Sequence, residues 1–365
     1  MSLLRNPSEH HRLLWWRWHC TVDVWAGRGA ARGMAQRTFL GNHRWPSSSL
    51  HSPPEQSVSG KPYDISCPEE SERKNGDEYD WAAVSDAEAE RQPGREHVMD
   101  PVPQATSPGY KPANKLHGKV ALVTGGDSGI GQAVCHCFAL EGTTVAFTFV
   151  KSEEDKDAQG TLQMIKAAKS ADAKGSIAVP ADLWFEENCK MVVEEVVNVY
   201  GRTDVLVNNA AKQYNSIEEI DEQRLERVFR MNVFSYFFMC KYALNHMKEG
   251  SSIINTTSVV AYKGSPKLLD YTATKGTIVS FTRGLALHLI NRGIRVNRVA
   301  PGQIWTPHIP ASFNEEEVAK FGSGVPMKRA GQPFEVAPSY VLPRLQCRLL
   351  LYHRPSLHPN GVGEK

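Results

Sequence analysis

The sequence predicts an α/β protein: one doubly wound parallel sheet flanked by helices, preceded by a long N-terminal extension. Three observations carry that expectation. The short apolar run Val120–Val123 ends in the glycine-rich turn Thr124–Gly131, and an amphipathic run through Leu140 follows it. From Leu116 onward, strand-like and helix-like runs alternate regularly. The strand-like runs are apolar throughout, the pattern of parallel strands covered on both faces.

Residues 1–54 hold seven arginines but only Glu9 and Asp23 as acids, with Ser47, Ser48 and Ser49 near their end. An arginine-rich, serine-bearing, acid-poor start has the composition of an organelle transit peptide. Trp15, Trp16, Trp18, Trp25 and Trp45 are unusual in one, and a misplaced start codon or exon is the alternative. Chloroplast and cytoplasm are the corresponding locations. From Glu55 the chain turns polar and acidic, with little to bury, so 1–91 reads as a disordered or targeting extension. The proline-rich stretch 92–115 reads as an extended arm, ordered where it lies on something.

The sheet domain is expected over 116–365. Strands are expected at Val120–Val123, Thr144–Phe149, Ser176–Pro180, Asp204–Val207, Ser252–Thr257 and from Ile294 to Asn297. Helices are expected from Gly131, over Gly160–Ser170, around Val192–Val197, continuously from Glu222 to Lys248, and over Tyr271–Ile290. The segment Gly302–Gly324 follows Pro301-Gly302 and reads as a lid hinged at Gly322 and Gly324, or as a surface loop with a short helix at Asn314–Phe321. Trp305, Tyr262 and Gln213 are expected to line the pocket beneath it, with no fixed charge.

Composition excludes several classes of function. Lys and Arg number 42 against 40 Asp and Glu, so nothing points to a nucleic-acid partner. No apolar run approaches the roughly 20 residues that span a bilayer. Seven cysteines without paired spacing suggest neither a disulfide framework nor a metal site.

Strand, glycine-rich turn and helix form the setting of a Rossmann-type dinucleotide fingerprint. Gly125 supplies the tight turn, Gly129 lets backbone approach a pyrophosphate, and Gly131 lets the helix sit close to its strand. Free N–H groups at the helix start would face the anion. Tyr271 and Lys275, four apart, share one helix face. A free phenol is a poor acid or base near neutrality, and a cation one turn away is expected to pull its pKa down. Ser258 ends a strand and can bond the same substrate oxygen. Asn232 lies within a helical pattern that Asn does not favour, among apolar neighbours.

In this order, TGxxxGIG, NNA, a helical Asn, Ser, YxxxK and a PG turn resemble a classical short-chain dehydrogenase/reductase. The likeness covers about Leu116–Arg329. The phrasing of Gly125–Gly131, of the arm Gln92–Pro101 and of Asp270–Gly276 is similar to the plant glucose and ribitol dehydrogenase homologues and aldehyde reductases. The resemblance implies Tyr271 as general acid/base and Lys275 as the residue that binds the nicotinamide ribose. It implies Ser258 to position the carbonyl and Asn232 to anchor a proton-relay water. Asp182 would meet the adenine, Asn208 would lie beside it, and Thr306 would hold the carboxamide. It extends the cofactor contacts to Asp127, Ser128, Ile130, Leu183, Ala210, Pro301, Gly302 and Ile304. NAD-specific members of this fold carry an acid at the end of the second strand. Here that position is Phe149, followed by Val150 and Lys151, which suits a 2′-phosphate and so NADP(H) over NAD(H). A small neutral aldehyde, sugar or polyol is the expected substrate, and a homotetramer or homodimer the expected assembly.

Over 340–356 the sequence departs from that family, and Leu357-His358-Pro359-Asn360-Gly361 rejoins it at nearly the expected distance. Two compensating frame shifts would produce this; real divergence is the alternative. A catalytically silent cofactor-binding protein or a flawed gene model are the corresponding alternative readings of function. Pro343 and Pro355 would interrupt a central strand or helix.

Overall fold

The computed structural model describes residues 92–341, except 215, 216 and 219, together with the strand Ser356–Leu357. All of these fall within one unit, Arg73–Lys365. The extension 1–91, and most of the aberrant stretch with Pro343 and Pro355, lie outside the described residues.

The sheet comprises β1 (Val120–Val123), β2 (Thr144–Phe149), β3 (Ile177–Pro180), β4 (Val205–Asn208), β5 (Ser252–Thr256), β6 (Arg295–Val299) and β7 (Ser356–Leu357). Its order is β3-β2-β1-β4-β5-β6-β7 and every pairing is parallel. Strand order reverses direction between β1 and β4, the switch point beside which ligands of such sheets collect.

The helices are α1 (Gly129–Leu140), α2 (Asp155–Ala168), α3 (Glu186–Tyr200), α4 (Glu222–Phe229), α5 (Ser235–Ala243), α6 (Val260–Lys263), α7 (Leu269–Leu289), α8 (Glu315–Ala319), α9 (Pro333–Val336) and α10 (Pro338–Val341). Because side chains alternate across a strand, β1 serves two cores. Ala121 and Val123 pack with α1 residues Val134 and Phe138 and with Tyr340 of α10. Val120 and Leu122 pack on the other face with Val192 and Val196 of α3, Met239 of α5 and Leu289 of α7.

Two sequence expectations change here. The continuous helix from Glu222 to Lys248 is instead α4, one wide turn of π-helix over Arg230–Phe234, and α5. The Ser235 N–H reaches back five residues to the Arg230 carbonyl. Trp305, expected in the pocket, is fully buried in a third cluster with Met99, Ile309, Val318 and Ala330. Its indole Nε1 donates to the Pro101 carbonyl at 2.8 Å. The proline-rich arm is therefore ordered because it covers the Gly302–Gly324 segment, whose short helix is α8.

Candidate active site

The site is built from the loop ends of β1, β4, β5 and β6. Thr124 closes β1, and its Oγ1 accepts from the N–H groups of Asn209 and Ala210, at 2.8 and 3.1 Å. This ties the fingerprint turn to the end of β4. Gly125 takes φ +60°, a left-handed conformation that costs glycine little. Gly131 lies so close to that turn that a Cβ on it would stand 1.8 Å from the Gly125 carbonyl oxygen. At the start of α1 the Gly129 N–H is not bare: the arm's Glu96 accepts from it at 2.6 Å. Glu96 is only 5% exposed, and burial, with the charges of Asp157 and Asp127, pushes its pKa up to about 8.

On α7, Lys275 is fully buried and donates from Nζ to the Thr256 carbonyl at 2.9 Å. Its Nζ stands 5.1 Å from the centroid of the Tyr271 ring. Burial lowers Lys275 to about 7, so its positive charge is weakened near neutrality. Burial holds the Tyr271 phenol above its ordinary range, against a lowering hydrogen bond with Ser258. The expected depression of the Tyr271 pKa is thus reversed: desolvation outweighs a cation that is itself desolvated.

Asn232 sits at the centre of the π turn and is fully buried. Its Oδ1 accepts from the Lys212 N–H at 2.7 Å, and its Nδ2 donates to the Lys212 carbonyl at 2.7 Å and to Thr274 Oγ1 at 3.0 Å. The π turn thus serves to present one amide to the segment after β4 and to α7 together; such turns recur at functional sites.

A cavity of about 720 Å³ runs from the fingerprint turn to these groups. That lies within the usual range of roughly 300–1,000 Å³ for ligand and cofactor sites. Gly125, Asp127, Ser128, Gly129, Ile130, Leu183, Ala210, Ser258, Tyr271, Lys275, Pro301, Gly302, Ile304 and Thr306 all line it. Gly131, Lys151, Asp182, Asn208 and Asn232 lie off its lining. Gly131 and Asn232 act through neighbours, as described. Asn208 is a core strut, donating to Asn255 Oδ1 at 2.9 Å, and Asp182 accepts from the Trp184 N–H at 3.1 Å. Exposed Lys151 points the strand-end reading elsewhere: it is buried Glu154 that lines the cavity, accepting from the Val150 N–H at 2.6 Å. Tyr262 is also outside the lining, its hydroxyl accepting from Arg298 Nε at 2.9 Å. Gln213 lines the cavity as expected.

The expectation of no fixed charge fails. Lys212 forms part of the wall, and Lys263, Lys267 and Lys320 stand along it. Lys267 and Lys320 pair with Glu317 and Glu316. His308 was not anticipated either. It lines the cavity with its ring centroid 6.0 Å from that of Tyr271. Only a prolinerich loop precedes it in sequence, and no spacing marked it.

Fold and site together fit a nicotinamide-dependent oxidoreductase. A family model described as "Enoyl-(Acyl carrier protein) reductase" matches residues 125–342. "Glucose and ribitol dehydrogenase" of Daucus carota is 67% identical over 274 residues, 74% of this chain and 94% of the relative. "NADPH-dependent aldehyde reductase 1, chloroplastic" of Arabidopsis thaliana is 68% identical over 272 residues, with the same coverage of 74% and 94%. Among solved structures, a short-chain dehydrogenase from Burkholderia cenocepacia in complex with NADP superposes with TM-score 0.62 at 29% identity, covering 68% of this chain and 98% of that one. The chain belongs to the short-chain dehydrogenase/reductase family.

Proposed function

We propose that the protein moves a hydride between NADP(H) and the carbonyl or alcohol carbon of a small neutral aldehyde, sugar or polyol. One observation carries the reading: Tyr271, hydrogen-bonded to Ser258 and backed by Lys275, faces the same cavity as the fingerprint turn. The residues fit a dinucleotide. The close approach of Gly131 to Gly125 is the packing that such a turn requires, and buried Asp127 Oδ2, on the lining, has no partner among the described residues. Backbone at Ser128 and Ile130 would hold the pyrophosphate, the Gly129 N–H being taken by Glu96, and Lys275 the nicotinamide ribose. When bound, the cofactor supplies the hydride.

The chain's own part is proton transfer and orientation. Ser258 and the Tyr271 phenol would grip the carbonyl oxygen, and the phenol would give its proton as the carbon is reduced. Asn232 would keep Lys212 and Thr274 in place behind the tyrosine.

Support for NADP(H) over NAD(H) comes from a relative named for NADPH and a neighbour solved with NADP. Glu154, the carboxyl at that end of the cavity, is occupied by the Val150 N–H, and burial holds it toward its neutral form. It therefore offers little repulsion to a 2′-phosphate. A small neutral substrate accords with the inner wall, where Tyr271, Ser258, His308 and Gln213 are uncharged near neutrality and two of the lysines are paired with glutamates. Exposed Phe234 and Phe237 on the surface of the π turn and α5, and Leu287 on α7, favour a homodimer or homotetramer. The arginine-rich start, with a relative named chloroplastic, supports chloroplast import.

The test is Tyr271→Phe assayed with a small aldehyde and either cofactor. Turnover should fall by about 10²–10⁴ while NADPH still binds, and the unaltered protein should prefer NADPH to NADH. Near-normal turnover in the variant would overturn the assignment.

A further inference from the structure

The reacting end of the cavity holds two polar atoms that the fold itself leaves unsatisfied. His308 Nε2 and Gln92 Oε1 are both buried, and neither has a hydrogen-bond partner among the described residues. Both residues line the cavity that contains Tyr271. Buried polar atoms are nearly always paired, and one left unpaired costs about 1–3 kcal/mol. Two of them in one ligand cavity point to a ligand group that completes them.

Their placement is constrained. The Gln92 amide nitrogen is directed at the Gln213 carbonyl, the Ala311 carbonyl at 3.4 Å and Ser312 Oγ at 3.3 Å. Its opposite end, Oε1, is thereby fixed. Two residues on, Gly94 lies against the backbone just before His308, where a Cβ would stand 2.3 Å from the Pro307 carbonyl oxygen. The arm therefore packs on the lid segment beside His308 at Gly94, and at Ala311 and Ser312 through Gln92. His308 is uncharged: burial, then the charges of Lys275 and Lys212, lower it to about 3. A neutral imidazole beside a neutral amide does not select an anion. It suits a hydroxyl, which donates one hydrogen bond and accepts another.

Resting on the reading of the reaction given above, we propose that His308 and Gln92 recognise a hydroxyl on the carbon next to the reacting carbonyl. The enzyme then selects hydroxylated aldehydes and sugars over plain aldehydes of the same length. The parts are fixed by chemistry: His308, protonated on Nε2, donates to the hydroxyl oxygen, and Gln92 Oε1 accepts the hydroxyl proton. The rings of His308 and Tyr271 are neighbours, 6.0 Å between centroids, so the carbon next to a carbonyl held by Tyr271 would lie beside His308. A site built around a hydroxyl rejects the analogue that lacks it, because its own polar atoms then stay unpaired.

The experiment compares kcat/KM for 2-hydroxypropanal and propanal, with NADPH, in the full chain and in His308→Phe and His308→Gln. NADPH binding, read by fluorescence titration, reports an intact cofactor site in each. The unaltered protein should favour 2-hydroxypropanal on the order of 10- to 100-fold. In His308→Phe that ratio should collapse toward one, and His308→Gln should recover part of it. Equal rates for the two aldehydes in the unaltered protein would overturn the inference and leave the reductase reading standing. An unchanged ratio in His308→Phe, or an equal fall for both aldehydes in both variants, would overturn it as well. Reduction of neither aldehyde despite NADPH binding would bring down the reading of the reaction, and this inference with it.

Discussion

Glu96 is the most informative residue to perturb, because its carboxyl lies buried at the start of α1 with other acids nearby. Its pKa is about 8 in the folded protein against an ordinary 4.5. Between those values the folded chain holds a proton that the unfolded chain has released. The associated stability is complete below about pH 4.5 and is lost as pH rises through about 8. Each pH unit in that window is worth about 1.4 kcal/mol, so raising pH from 6 to 9 should cost about 2–3 kcal/mol. Glu96→Gln keeps an oxygen to accept from Gly129 and removes the titration. Urea denaturation of both proteins at pH 6 and pH 9 isolates the effect, since the remaining acids titrate in both. The stability difference should move by about 2–3 kcal/mol in favour of Glu96→Gln between the two pH values. Parallel loss in the two proteins would show that Glu96 is ionised throughout and that its burial has been overestimated.

Three further outcomes follow from the same structure. Gly131→Ala drives a Cβ onto the Gly125 carbonyl, which no side-chain rotation can relieve. It should lower stability by about 3 kcal/mol and weaken NADPH binding at least tenfold, and normal melting and titration curves would refute the packing argument. Trp305→Ala removes a fully buried indole and strips the Pro101 carbonyl of its donor. A loss of about 3–5 kcal/mol is expected on denaturation, whereas a small loss with altered substrate range would return Trp305 to the pocket wall. A fluorescent fusion of the first ninety residues should enter plastids, and cytosolic retention would count against import.

Most of the sheet was legible because buried parallel strands are written as short apolar runs. Val120–Val123 and Thr144–Phe149 occur as expected, and the other early strands shift by a residue. Ser258, Tyr271 and Lys275 were legible because helical spacing and strand ends fix where such side chains point. The π turn at Arg230–Phe234 was hidden, since one extra residue in a helical ladder barely disturbs apolar periodicity. Only Asn232 itself, a buried amide in need of partners, marked the place. Trp305 and His308 show a different limit. They stand three residues apart in one irregular loop, and no local period tells which turns to the core and which to the cavity. The direction of the Tyr271 pKa was illegible for a related reason: a sequence shows the neighbouring lysine but not that the lysine is fully buried. The strand β7 pairs with β6 at Ser356–Leu357, where the family-like pattern resumes.

The arm also changes what counts as the smallest working fragment. The family model's match begins at residue 125, and a deletion drawn from it would discard Gln92, Glu96, Met99 and Pro101. Such a fragment would bare Trp305, strand its indole N–H, expose the start of α1 and dismantle the wall opposite Tyr271. A segment that precedes the first strand by some twenty residues is, in engineering terms, an inseparable component of the catalytic end. Tags, fusion partners and protease sites therefore belong upstream of Gln92, not at the edge of the sheet.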